Sequence, residues 1–219
     1  MFAFSSDRPP VPASHAAHVR PVAAAASRQL PLASPWDRVL AGPGFRRGST
    51  VNVHAAPGAG GLTLALSLLG GVSTQGHWSA VVGVDDPGVV AIHELGVDLR
   101  RVLFVPRPRG AWAESVADLL DGVDVVVVRP PSRTAHGVAR RLAGRVRERG
   151  CVLVVVSEPA TAWPLPADLS LEILSSRWIA TSRLEGRQSL VRVTGRGAAR
   201  RPTEHWLTLP DASGHVLAS

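Results

Sequence analysis

Residues 50–69 read Thr50-Val51-Asn52-Val53-His54-Ala55-Ala56-Pro57-Gly58-Ala59-Gly60-Gly61-Leu62-Thr63-Leu64-Ala65-Leu66-Ser67-Leu68-Leu69, and this stretch decides the fold class. Thr50, Val51 and Val53 are β-branched and predict a buried strand. Pro57, Gly58, Gly60 and Gly61 break it with a tight turn, and the apolar run 62–69 predicts a helix folding back on the strand. The alternation continues outward, with strands expected at 79–84, 102–105, 123–128 and 151–156 and helical stretches at 89–95, 111–120 and 134–149. Four of the strands have nearly continuous apolar cores, the pattern of a parallel sheet covered by helices on both faces. A doubly wound α/β protein is expected, mostly parallel and flanked by helices.

The last third changes texture. Runs at 169–174, 178–184, 189–193 and 206–209 are separated by turn residues, Glu185-Gly186 and Gly195-Arg196-Gly197, and predict antiparallel hairpins that extend the sheet edge. Residues 1–30 are rich in Ala, Pro and Ser, with the short alanine run 23–26, and predict a flexible arm ahead of one domain over 31–219.

Composition agrees with one globular core: 219 residues, 45% hydrophobic and 19% charged. The 21 glycines and 18 prolines follow no period, which excludes a collagen-like fibre. No window holds eighteen uninterrupted apolar residues, and the first ten carry Asp7, Pro9 and Pro10 in place of a basic stretch and an apolar run. A cytoplasmic protein without a membrane partner is expected. Cys151 is the single cysteine, expected as a buried thiol, so a cysteine-rich metal site is excluded. His54 and His93 lie in different elements without ligand spacing, and no metal is expected.

The formal charge of +7 favours an anionic partner, and all 24 basic residues are arginine. With no lysine, neither a Schiff base nor the lysine of a phosphate-binding loop can form. That matters for the 56–63 turn, whose strand–turn–helix setting suits a phosphate cradle. A working P-loop reads G-x-x-x-x-G-K-[ST]; here Ala56 stands for the first Gly, Gly61 for the second, Leu62 for the Lys and Thr63 for the hydroxyl, with Gly58 and Gly60 between. The helix dipole alone offers about 0.3–1 kcal/mol to an exposed anion. A carboxylate expected after strand 123–128 is replaced by Arg129-Pro130-Pro131, and Asp124 sits at the wrong end. Neither a catalytic residue nor a bound cofactor is expected.

These residues resemble the RecA superfamily, and within it the shortened RecA-like proteins of the ImuA group. The lead-in 36–53, Trp36-Asp37-Arg38-Val39-Leu40 through Gly42, Gly44 and Gly48 to Val53, is similar to that family's entry to the P-loop strand. Leu95-Gly96-Val97-Asp98-Leu99, the strand 123–128, residues 152–158 and the terminal runs 169–174 and 190–209 resemble successive family segments in the same order. The resemblance implies a RecA-like P-loop NTPase core with a degenerate nucleotide site, with Asp85-Asp86 standing where the family places a glutamate that activates water. The regions matching the DNA-binding loops, 130–134 and 159–168, are short.

The resemblance to the actinobacterial ImuA-prime type implies a non-hydrolysing accessory of SOS-linked translesion synthesis and mutagenesis. Its partners would be an ImuB-like inactive Y-family polymerase relative and an error-prone C-family DNA polymerase, with DNA contact weak or indirect. The alternative is a SulA-like cell-division inhibitor that binds FtsZ; an active ATPase and a direct single-strand DNA binder are the other readings. Trp112, Trp163, Trp178 and Trp206 are partner anchors or core packing, with core packing the plainer account. Ser49, Ser67 and Ser157 lack a G-x-S-x-G setting, which leaves a hydrolase triad unsupported. The helix 134–149 is expected to bury Val138, Leu142 and Val146 and to show a solvated arginine face. Arg196, Arg200 and Arg201 form an exposed basic loop that would meet DNA or an acidic partner face, or be plainly solvated.

Overall fold

The computed structural model describes residues 29–218 apart from 41, 43, 109 and 110. The expected arm therefore lies outside the described residues, except for Gln29 and Leu30. These two open strand β1 (Gln29–Pro31), which pairs with β2 (Gly44–Arg46) on either side of helix α1 (Trp36–Val39). Leu30 is fully buried opposite Phe45, and that apolar pair draws the two residues into the domain.

The main sheet is built from β3 (Thr50–His54), β4 (Ser79–Val82), β5 (Val102–Val105), β6 (Val125–Val128), β7 (Val152–Ser157), β8 (Leu169–Ala180), β9 (Leu184–Gly195), β10 (Thr203–Thr208) and β11 (Leu217–Ala218). Its order is β11-β10-β9-β8-β3-β7-β6-β4-β5. From β8 through β3 to β5 the neighbours are parallel, and from β8 to β11 they are antiparallel. The parallel strands end side by side, so the loops after β3, β4, β6 and β7 gather at one end of the sheet.

Alternate side chains of the β-branched strands enter two cores. Val51, Val53, Val81, Val125, Val127, Val152 and Val154 pack under α2 (Gly61–Ser67), α3 (Leu69–Thr74) and α4 (Val89–Glu94). Ala80, Val82, Val126, Val128, Leu153 and Val155 pack under α5 (Trp112–Gly122) and α6 (His136–Arg149). All four residues of β6 are 0% exposed, at about 1.5–3 kcal/mol for each fully buried valine. In α6 the buried stripe is Ala139, Leu142, Ala143 and Val146, with Val138 at its margin.

The antiparallel extension is present, but its hairpin differs from expectation. β8 and β9 are each twelve residues long and reverse at 181–183, whereas Glu185-Gly186 lies inside β9. Gly186 marks a close approach instead of a turn: a Cβ there would stand 2.9 Å from the Pro210 carbonyl oxygen and 3.2 Å from the Thr208 methyl.

Candidate functional site

The Gly-rich turn is tied down by its backbone. Ala55 N–H donates to the Ser157 carbonyl at 3.1 Å, which fixes the exit of β3 to β7. Ala59 N–H donates to the Ala56 carbonyl at 3.0 Å, and Leu64 N–H to the Gly60 carbonyl at 2.9 Å where α2 begins. Gly60 holds φ at 101°, a left-handed conformation that glycine adopts at no steric cost. Ala56, Gly58, Gly60, Gly61 and Leu62 line a cavity of about 230 Å³, while Thr63 is half-buried and outside that lining.

Two guanidinium groups close the cavity. Arg129 follows β6, at the position expected for a carboxylate, and its Nη2 donates to Glu158 Oε1 at 2.7 Å just beyond β7. Arg187 arrives from β9 and lies so tightly against Gly60 that a Cβ there would collide with Nη1. Its guanidinium stacks over the Trp178 ring, 4.2 Å from the centroid. Burial pushes its pKa down, and Nε is buried with no hydrogen-bond partner. Arg187 was not a sequence candidate: it lies beside the dipeptide read as a turn, and only the 12-residue length of β9 carries it to the cradle. The cavity is therefore lined by the glycines of the turn, two guanidinium groups and a carboxylate already engaged by one of them.

A polar trio lies behind the turn. Ser157 Oγ donates to Asn52 Oδ1 at 2.9 Å and stands 3.1 Å from His54 Nδ1. With its proton committed to Asn52, Ser157 receives one from His54, opposite to the direction a nucleophile needs from its base. Beside the cradle, a larger cleft of about 520 Å³ opens at the ends of β4, β5 and β6, lined by Asp85, Arg107, Trp112, Arg129 and the prolines 130 and 131. Asp85 is spent on Arg107 at 3.2 Å.

The other sequence candidates scatter. Trp163 is core, 8% exposed, whereas Trp178 and Trp206 are 50% and 42% exposed. Arg196 pairs with Asp168 at 3.3 Å and lines a cleft at the amino end of the sheet, which Arg200 and Arg201 do not reach. At that same end Asp124 is 2% exposed and accepts from Arg47 Nη2 at 2.9 Å and from Trp78 N–H at 3.1 Å, with His77 Nδ1 at 3.4 Å. No helix among the described residues is long and apolar enough to cross a membrane.

A family model described as the MT3502 N-terminal domain matches residues 38–164. The match runs from α1 past β7 and stops short of β8, so Arg187 lies beyond it. The chain is also similar to the uncharacterized protein Rv3395c of Mycobacterium tuberculosis, 37% identical over 120 residues that make up 54% of this chain and 57% of that protein. The chain thus spans a little over half the length of this curated relative.

Proposed function

We propose, for a chain that belongs to the family of the MT3502 N-terminal domain, the role of a RecA-like adaptor of the ImuA type that does not hydrolyse nucleotide. It serves translesion synthesis in the cytoplasm through protein contacts with an ImuB-like Y-family relative and an error-prone C-family polymerase. One observation carries this reading. Strand, Gly-rich turn and helix follow one another as a phosphate cradle would need, but the side chains around the turn are not those of a working one: Leu62 stands for the lysine, Arg129 is held by Glu158, and Arg187 lies against Gly60. A scaffold retained without its phosphate-binding lysine is a scaffold for surfaces, and the ordered resemblance of residues 36–209 supplies the kind of machinery those surfaces serve.

The test is a pull-down of the purified full chain with the ImuB-like protein, the C-family polymerase and FtsZ as separate baits, with ATP and with EDTA. Capture by the first or second that neither addition changes is the expected result. Capture by FtsZ alone would replace the proposal with division control. In parallel, Leu62→Lys is expected to leave ATP turnover undetectable, because Arg129 still occupies the metal side; measurable turnover in that variant would overturn the reading of the site.

A further inference from the structure

At the end of the sheet opposite the Gly-rich turn lies a cleft of about 690 Å³, walled by the β2–β3 turn, one side of α6 and the segment after β7. Arg46, Arg47, Arg140, Arg147 and Arg196 line it, with Asp168 as its one acidic residue. Arg47 is held by Asp124 and Arg196 by Asp168. Among the described residues, Arg46, Arg140 and Arg147 are exposed and make neither an ion pair nor a side-chain hydrogen bond.

The arginines of α6 divide by face. Arg141, Arg145 and Arg149 recur every four residues and are ion-paired across the helix pair, Arg141 with Glu114 and the other two sharing Asp121 of α5. Arg140 and Arg147 are seven residues apart, two turns along one face and about 10 Å in rise, and they point their unpaired charge to the cleft instead. On α6, therefore, the outer-face arginines are ion-paired and the two that line the cleft are not. The floor is apolar: Ala143 and Trp163 are buried there, with Leu165 and Pro166 beside them, and the Trp163 Nε1 is a buried donor without an acceptor.

We propose that this cleft binds an acidic peptide segment of a protein partner, with carboxylates on Arg46, Arg140 and Arg147 and an apolar side chain against Leu165 and Pro166. Guanidinium forks take carboxylates in paired, planar hydrogen bonds. A nucleic-acid strand fits the cleft less well: it needs aromatic faces for its bases, whereas Trp163 is buried, and the next arginines along α6, Arg141, Arg145 and Arg149, are engaged by Glu114 and Asp121. The inference deepens the adaptor reading and rests on it for the kind of partner.

The test uses the full chain and a fluorescein-labelled peptide of Glu-Glu-Leu repeats in an anisotropy titration, with labelled oligothymidylate as the second probe. The peptide is expected to bind, to weaken as salt rises, and to lose about tenfold or more in affinity with Arg140→Glu/Arg147→Glu. Arg200→Glu/Arg201→Glu, outside the cleft, is expected to change it less than about twofold. Both pairs are exposed, so an unchanged thermal transition verifies folding. An unbound peptide, or equal affinity across the variants, would overturn the proposal, as would oligothymidylate binding that depends on Arg140 and Arg147 and that the peptide does not displace. Repeating the pull-down with Arg140→Glu/Arg147→Glu separates the two ideas. Capture equal to the native chain leaves the adaptor standing and the cleft refuted, whereas no capture by the native chain refutes the adaptor alone.

Discussion

The two ends of the parallel sheet use arginine in opposite ways. At the carboxyl end, beside the Gly-rich turn, Arg129 is bonded to Glu158, and Arg187 is stacked on Trp178 against Gly60. At the amino end, where no recognisable motif exists, one buried carboxylate anchors Arg47 and three other arginines face a cleft without partners. A motif's outline is thus a poor guide to where free charge lies. The side chains around it decide, and here they engage the arginine that follows β6 and leave three arginines of the amino-end cleft without a partner among the described residues.

The sharpest test of this contrast is Asp124. Its carboxylate ties together the β2–β3 turn through Arg47, the entry to β4 through Trp78, and, through its backbone, the start of β7. Asp124→Ala strips a half-buried guanidinium of its carboxylate, leaving it the Gly150 carbonyl at 3.3 Å, and leaves the Trp78 N–H without its acceptor, which costs about 3 kcal/mol. The midpoint of a urea transition reads this directly. A loss below about 1 kcal/mol would make the amino end no more committed than a surface ion pair.

Cys151 sharpens the same end from a second direction. It sits where α6 meets β7, with Sγ 3.8 Å from the Val146 carbonyl oxygen, and burial raises its thiol from 9.0 to about 11. A raised thiol pKa means that the folded protein keeps the proton longer than the unfolded chain. Stability is complete below about pH 9 and falls as the pH rises towards 11, by about 2–3 kcal/mol in all. With neither tyrosine nor lysine in the chain, little else titrates in that window. Denaturation curves at pH 8 to 11 should show the slope in the native chain and lose it in Cys151→Ala.

How much of this was legible in the sequence follows from which forces are local. β3 and β5 fall on their predicted residues because β-branched runs bounded by turn signals specify strands without help from the rest of the chain. The Gly-rich turn after β3 was legible for the same reason. Arg187 was not, since its place depends on the length of a hairpin whose Gly186 mimics a turn while serving a close approach to Pro210. The division of α6 was half legible: the apolar stripe was visible, but only the acids of α5 reveal which arginines are ion-paired. Long-range partners carry no periodic signal along the chain.

A smaller effect tests whether Arg187 is truly seated on the turn. Gly60→Ala places a Cβ at φ 101° and against Nη1 of Arg187, so both the backbone conformation and the contact resist it. A loss of about 1–2 kcal/mol from the backbone conformation is expected, with a further part from the collision. Gly60→Ala/Arg187→Ala should recover only that further part. If the double variant is no more stable than the sum of the two single changes, the guanidinium is not packed on the turn and the carboxyl end is open.

The smallest effect concerns the pair that closes the other side of the cradle. Arg129 and Glu158 have side chains 48% and 27% exposed, whereas the Asp124 side chain is 1% exposed beside Arg47 at 20%. The bond lengths are close, 2.7 Å and 2.9 Å, so solvent access and the further partners of Asp124 separate the two pairs. A double-mutant cycle on Arg129→Ala and Glu158→Ala is expected to give a coupling of about 0.2–1 kcal/mol that shrinks with added salt. Glu158 competes with any incoming phosphate for Arg129. Glu158→Ala should therefore free Arg129 and raise affinity for inorganic phosphate above that of the native chain, and equal affinities would mean that the ion pair does not hold that guanidinium.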